Sequence, residues 1–511
     1  MKAEPEDNHS GIVIFLLAVI NVALHLYVSD NLEYHRDELL YFSLGLHPAA
    51  GYATVPPMIG WIAGIMQSIF GNSVFAVRLF PALMSGVMVY LVAAIARELG
   101  GSGYARILAA TGFLVSIIGL RSFLFFMPVH IDIFFWTLIF YLIVRYINTS
   151  SDKYLLLLGI TSGAAMLNKY LPGLLILILL LIVPFTRYRT IFTRRQFLIG
   201  LLAGFIVFLP NLIWQIVHGL PVLNHMAELE RTQLANVDRT AFIIEQFIIP
   251  GMASVLTIAG IIHLFAGRHA WQYRFLGIVV LAVILALMMM RGKNYYTMGV
   301  FPFLMASGAV AWEMMLKRKW TRITLILFLV LLTIPSAPIG IPLFGPQKLA
   351  GYFDDLKKNY KMDFVCRFED GSVRALPQDY ADMIGWEELA GLAAGAWSRI
   401  EDKNAAFIFC ENYGHAGAVT IIGKKYGLPE AVSFNESFRY WIPLVFNPDI
   451  TSAVYINSEL GDDVGQIFGK ITKVGSISNT LSREYGTSVW LLEEPVGSFN
   501  AFWLESIKHF F

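Results

Sequence analysis

Tyr34-His35-Arg36-Asp37-Glu38-Leu39-Leu40-Tyr41 follows directly on the first long apolar run of the chain, residues 11–30. Carboxylates beside lipid are costly unless they are solvated, paired or used, which makes Asp37 and Glu38 a candidate functional pair. Two solvated loop acids are the plainer reading of the same residues. The apolar run itself follows an acidic, polar leader and lacks a small-x-small cleavage site, so it is expected to remain as an anchor.

The rest of the chain extends this picture. Of 511 residues, 56% are hydrophobic and 15% charged, and the mean hydropathy is +0.60, too apolar for a soluble protein of this length. An integral membrane protein is expected. The net charge of +1 leaves no basic excess for a nucleic-acid partner. Cys366 and Cys410 have no metal-ligand spacing; one bridge or two separate buried thiols are both compatible with the sequence.

Apolar runs able to cross a bilayer, or nearly so, fall near residues 11–30, 73–96, 103–120, 130–147, 154–168, 171–186, 196–217, 241–266, 275–290, 297–315 and 321–338. About eleven spans are expected, within a range of ten to thirteen. Basic residues gather in every second connection: Arg97 and Arg106, Arg145 and Lys153, Arg187 to Arg195, Arg268 and Arg274, and Lys317 to Arg322. By the positive-inside rule those connections are cytoplasmic. The amino terminus is then cytoplasmic, and the first loop and everything after about residue 339 face outward, as in a multi-pass protein of the inner cell membrane.

In the outward first loop, Leu39–Leu46 and Met58–Phe70 have the spacing of short helices lying in the interface plane. After Gly345 charges and turn residues return, so a membrane domain over 1–345 and a soluble extracytoplasmic α/β domain over 346–511 are expected. Strands are predicted at residues 405–410, 452–456 and 488–492, with a helix over 416–426. The order strand, Gly414-His415-Ala416-Gly417, helix suggests an anion-binding turn.

Given this topology, the polar residues of the span ends fall on one side: Asp37, Glu38, Arg121, His130, Asp132, Asn168, Lys169, Gln215, His218, Arg291, Lys293, Tyr295 and Tyr296. A charged side chain at mid-membrane costs roughly 2.5–3.5 kcal/mol on the mildest scale, so these residues are expected to line a solvated or ligand-filled cavity. For Lys169 and Arg291, snorkelling to the interface is the alternative. A lipid-linked sugar phosphate is the ligand that wants cations at headgroup depth and a carboxylate near the acceptor hydroxyl. One cation at about 4 Å attracts a unit negative charge by about 4 kcal/mol at an effective dielectric near 20. The attraction grows as the leaving phosphate gains charge, while a carboxylate takes the acceptor's proton. No metal or cofactor enters this scheme.

At this point the chain resembles the polyprenyl-phosphate-sugar-dependent glycosyltransferases with the GT-C fold, in the family-39 group that includes protein O-mannosyltransferases and the bacterial lipid A aminoarabinose transferase. The resemblance rests on His35-Arg36-Asp37-Glu38, Gly51-Tyr52 leading to Pro56-Pro57, Arg78-Leu79, Asp132, Asn168-Lys169, and Arg291-Gly292-Lys293 with Tyr295 and Tyr296. A bacterial subgroup is resembled in Leu209 to Gln215, Asp382-Met383-Ile384-Gly385-Trp386 and Glu411 to Ala418.

The resemblance implies a donor lipid entering from the bilayer and an acceptor, whether glycolipid, glycan or protein hydroxyl, entering from outside. Displacement at the anomeric carbon is then direct, metal-independent and inverting. It assigns Asp37 as the base, with Glu38 beside it, and Asp132 as a second carboxylate. Lys169, Arg291, Lys293, Tyr295 and Tyr296 fall to the donor phosphate. Further substrate contacts are expected from His35, Arg36, Tyr52, Arg121, Gln215 and Arg231. Where relatives often carry a charged residue or histidine before the two prolines, this chain has Thr54-Val55; His35, Arg36, Arg231 or His225 is the expected substitute. A transporter or flippase of lipid-linked sugars is the principal rival, but internal repeats and midplane polar breaks, its expected marks, are not evident in the sequence.

Overall fold

The structure is a computed structural model and describes residues 8–232 and 234–508. Its helices run, in chain order, α1 (Asn8–Tyr27), α2 (Arg36–Leu46), α3 (Met58–Phe70), α4 (Val74–Glu98), α5 (Gly103–Val115), α6 (Ile117–Arg121), α7 (Pro128–Thr149), α8 (Lys153–Asn168), α9 (Pro172–Ile182), α10 (Arg195–Val217), α11 (Pro221–Thr232), α12 (Arg239–Ile248), α13 (Ser254–Ala266), α14 (Arg274–Met289), α15 (Phe301–Met315) and α16 (Lys319–Gly340). The chain divides into two compact units. One takes in the residues up to Ser29, 55–58 and Arg78–Ile341; the other holds Asp30–Thr54, Ile59–Val77 and the residues from Pro342 on.

The first unit is helical. Each of the eleven apolar runs read from the sequence is helical for most of its length, but only seven helices among the described residues are long and apolar enough to cross a membrane: α1, α4, α7, α10, α14, α15 and α16, with the short lead-ins to α14 and α15 included. The run 241–266 is broken: α12 and the helix after it meet at a 91° bend, and the pair would make an eighth span. α5 and α9 are shorter apolar helices. Close approach is bought with glycine: a Cβ on Gly159 would overlap the Gly200 carbonyl, one on Gly163 the Gly204 carbonyl, and one on Gly260 the Leu304 carbonyl. Small residues let helix backbones approach where there is no hydrophobic drive to associate.

In the second unit, the loop helices α2 and α3 belong with the C-terminal part of the chain. Residues 38–44 of α2 are all buried, so this helix is enclosed by protein rather than lying in an interface plane. α3 fits the interfacial expectation: Ile59, Ala63 and Met66 face inward, while Trp61, Ile65 and Ile69 are exposed at every fourth position. After them come α17 (Pro346–Tyr360), α18 (Gln378–Ala381), α19 (Trp386–Ser398) and α20 (Tyr413–Gly417).

A four-stranded sheet follows the order β1-β2-β4-β3, with β1 (Ala406–Cys410), β2 (Ser452–Asn457), β3 (Phe468–Ser476) and β4 (Ser488–Pro495). β1 and β2 are parallel, and the other pairs antiparallel. The three strands read from sequence are present. β3 is not legible there because it is an edge strand whose Gly469, Lys470 and Lys473 break the apolar pattern. The helix expected over 416–426 is a composite of α20, a wider turn over Ala418–Ile422 and a tight turn over Gly423–Tyr426. Phe407, Trp490, Phe499 and Trp503 fill the core on one side of the sheet. Cys366 and Cys410 are separate buried thiols.

Candidate active site

The acidic motif opens α2. His35 caps the helix: its Nδ1 accepts from the Asp37 N–H at 3.0 Å, and its own N–H donates to Glu38 Oε2 at 2.8 Å. This reciprocal capping box satisfies two donors that a helix start leaves open. Glu38 is fully buried, so one of its oxygens holds the helix start.

Asp37 is half-buried, and its Oδ1 accepts from the Tyr413 hydroxyl at 2.7 Å. Oδ2 has no hydrogen-bond partner among the described residues. The Arg36 guanidinium lies 4.5 Å from the Tyr413 ring centroid, a cation–π stack. Burial, and then the charge of Asp37, push the Tyr413 phenol well above its ordinary range, so it donates as a neutral group.

Tyr413 is presented by α20, which packs on α2 because two positions lack side chains. A Cβ on Gly417 would come within 2.8 Å of Leu39 Cβ and 2.9 Å of the Leu39 carbonyl carbon; one on Gly414 would come within 2.8 Å of Arg36 Cγ. The start of α20 is closed by Asn412, whose Oδ1 accepts from the Gly414 and His415 N–H groups at 2.8 and 3.2 Å. The anion-binding turn expected here is therefore overturned: its N–H groups already have an internal acceptor.

Charged residues brace this arrangement. His415 Nε2 lies 2.8 Å from Glu484 Oε2, Arg483 Nη1 lies 3.0 Å from Asp382 Oδ2, and His35 Nε2 is 3.9 Å from that same oxygen. The Asp382 carbonyl accepts from the Arg36 N–H at 3.1 Å and from Trp386 Nε1 at 2.8 Å. Burial pushes Asp382 up to about 6 against the pull of His35 and Arg483. Burial also pushes Glu484 up, but the His415 hydrogen bond and charge, with Arg36 and Arg483, outweigh it and bring Glu484 down to about 2.

A second carboxylate arrives where the sequence lacks a charge. Thr54 Oγ1 donates to Glu436 Oε2 at 2.7 Å, and the Ala53 N–H donates to Ser437 Oγ at 3.0 Å. The charge of Glu436 is felt by Tyr41 and Tyr413, as that of Asp37 is. Tyr52 has a structural task instead: its buried hydroxyl lies 3.1 Å from both the Leu44 and His47 carbonyl oxygens, and burial pushes it up to about 12.

In the first unit, Asp132, Lys169, Lys293, Tyr295 and Tyr296 come together. Asp132 Oδ1 accepts from Trp136 Nε1 at 3.0 Å, and the charge of Asp132 acts on Lys169. Lys169 Nζ sits 4.8 Å from the Tyr296 ring centroid and 5.4 Å from that of Tyr295; Lys293 Nζ is 5.9 Å from the Tyr295 ring. The two rings meet edge to face at 4.9 Å. Lys169 has no ion pair or hydrogen bond of its ammonium among the described residues. This is a semi-enclosed cationic site held by aromatic faces.

The remaining expected residues lie apart from that cluster or are tied elsewhere. Arg291 Nη1 donates to the Ala235 carbonyl at 2.8 Å, and Arg121 Nη1 to the Ile339 carbonyl at 2.9 Å. Gln215 is buried beside the Tyr170–Asn211 pair. Arg231 is exposed on α11, and His225 lies within the field of Lys293. Tyr413 sits in a segment that the sequence reading marked only as a resemblance. Glu436 and Glu484 carry no sequence signal: Glu436 opens a short turn over Glu436–Trp441 and Glu484 lies in a turn, neither with a recognisable motif.

The family described as dolichyl-phosphate-mannose-protein mannosyltransferase matches residues 54–214. Lipid A galacturonosyltransferase RgtD of Rhizobium johnstonii is 26% identical over 206 residues, 39% of this chain and 42% of that protein, so the match spans less than half of the relative. ArnT from Cupriavidus metallidurans in the apo state aligns with a TM-score of 0.62 at 12% identity, covering 95% of this chain and 98% of that one. The same protein bound to undecaprenyl phosphate gives a TM-score of 0.60 at 13% identity, covering 93% and 97%. This chain is thus a multi-pass membrane protein with the GT-C fold, similar in sequence to glycosyltransferases of the dolichyl-phosphate-mannose-protein mannosyltransferase kind.

Proposed function

We propose that the protein transfers a sugar from a polyprenyl-phosphate donor to a hydroxyl of an acceptor on the outer face of the inner membrane, with Asp37 as general base. The observation that carries this reading is the asymmetry of the Asp37 carboxylate: Tyr413 holds Oδ1, and Oδ2 is open. A base needs one fixed geometry and one vacant lone pair.

In the proposed reaction the acceptor O–H gives its proton to Asp37 Oδ2 as its oxygen bonds to the anomeric carbon. The bond from that carbon to the phosphate oxygen breaks, and polyprenyl phosphate leaves with one more negative charge. Lys169 and Lys293 stabilise that charge, and Tyr295 or Tyr296 contributes a hydroxyl. Asp132 orients Lys169. Displacement in one step inverts the anomeric carbon, and no step is routed through a metal. The undecaprenyl phosphate named for the ArnT structure supports a polyprenyl carrier, and the lipid A named for the relative supports a glycolipid acceptor.

The test is transfer of radiolabelled sugar from a polyprenyl-phosphate donor by the purified full-length protein. Covalent transfer that is lost in Asp37→Asn is the expected result. Lipid movement without transfer would replace this reading with that of a transporter.

A further inference from the structure

The second unit holds a cavity of about 350 Å³ that the proposed reaction does not use. Its walls include the end of α3 with Gln67, the Gly71-Asn72 turn that follows it, the turn with Ile422, Lys424 and Lys425, and Glu387 at the start of α19. The size falls at the lower end of ligand pockets, roughly 300–1,000 Å³.

The lining is rich in donors. Lys424 makes no ion pair and the Asn72 amide nitrogen has no acceptor among the described residues. Lys425 is shared with Glu387 at the rim. Gln67 Nε2 donates to Asn72 Oδ1 at 3.1 Å, which leaves the Asn72 amide group oriented by its oxygen with its N–H groups to give. Two lysines against one glutamate leave a single net positive charge, the complement of a phosphodiester monoanion.

The neighbouring surface says where that anion comes from. α3 ends at the cavity and exposes Trp61, Ile65 and Ile69 along one stripe, and Phe70 and Phe75 flank Gly71 and Asn72 with 45% and 44% of their surface open. Such a stripe on a short helix seats in the interface between headgroups and acyl chains. The cavity at its end then lies at headgroup depth. We propose that this pocket binds the phosphodiester of an anionic membrane lipid, with Lys424, Lys425 and Asn72 on the phosphate and the α3 stripe among the acyl chains.

The test is native mass spectrometry of the full-length protein in detergent, with phosphatidylglycerol and phosphatidylcholine of identical acyl chains. Wild type is expected to retain phosphatidylglycerol preferentially. Lys424→Ala with Lys425→Ala is expected to weaken one such site on the order of tenfold while leaving phosphatidylcholine unchanged. Glu387→Gln, which frees Lys425, is expected to strengthen it. Unchanged phosphatidylglycerol retention in the double variant would overturn the proposal, as would equal loss of both lipids or the same loss in Lys470→Ala, a lysine of β3 away from the cavity lining. Displacement of the lipid by an equal concentration of inorganic phosphate would overturn the lipid part. A variant that unfolds is replaced by Asn72→Ala, expected to show a smaller loss in the same direction.

Discussion

Tyr413 Oη donates to Asp37 Oδ1 at 2.7 Å across 376 positions of sequence. This one bond joins the acidic motif after the first span to a segment of the C-terminal part of the chain. If Tyr413 orients the base, Tyr413→Phe lowers turnover by about ten- to a hundredfold, since a hydrogen bond to a charged group is worth roughly 1.5–3 kcal/mol. Donor KM is expected to stay near the wild-type value, a split that steady-state kinetics reads directly.

The two neighbouring acids are expected to separate under substitution. In Asp37→Asn the amide oxygen still accepts from Tyr413, so the protein folds, but no base remains and turnover falls at least a thousandfold. Glu38→Gln keeps an oxygen for the His35 N–H and most of the activity. Glu38→Ala loses the cap, at about 0.5–2 kcal/mol. Thermal unfolding together with transfer rates distinguishes the three, and equal activity loss in Asp37→Asn and Glu38→Gln would move the base.

Lys169 sits against two tyrosine rings, and its ammonium has no ion pair among the described residues. Lys169→Met is expected to lower kcat/KM for the donor by about a hundredfold, in proportion to a lost charge-assisted contact to phosphate. Acceptor KM measured at saturating donor is the control, and a loss confined to the acceptor would place the phosphate elsewhere.

Gly417 has no room for a methyl group beside Leu39. Gly417→Ala is expected to cost about 1–3 kcal/mol as α2 and α20 are forced apart. Activity falls with it, because Tyr413 is carried away from Asp37. An unchanged Tm with full activity would show that the helices yield without cost.

Asp382 and Glu484 give opposite pH dependences. Glu484, brought from 4.5 down to about 2, contributes stability on the order of 3 kcal/mol that is complete above pH 4.5 and lost as pH falls toward 2. Asp382, raised from 3.8 to about 6, keeps its proton in the folded state where the unfolded chain has released it. Stability therefore declines as pH rises from about 4 to 6 and levels off above. Unfolding measured from pH 2 to 8 is expected to lose the upper slope in Asp382→Asn and the lower one in Glu484→Gln.

Much of this molecule is legible in one dimension, because lipid selects on hydropathy. Apolar runs announce the helices residue by residue, and an acid or lysine at a run's end stands out against its surroundings, as Asp37, Asp132, Lys169 and Lys293 do. The break between α12 and α13 was invisible, since a right-angled bend between two apolar helices leaves the hydropathy unchanged. So was the edge strand β3, whose pairing with β4 does not require an apolar face.

By itself the sequence determined a membrane bundle, a polar C-terminal part and the identity of the acids and cations, since each of these depends on local composition and span length. Only the tertiary structure decided which carboxylate is held by a tyrosine and that Glu436 takes the hydrogen bond of Thr54. Those choices depend on packing between segments hundreds of residues apart. There, two missing side chains, Gly414 and Gly417, set how closely one helix approaches another, and no local pattern records that distance.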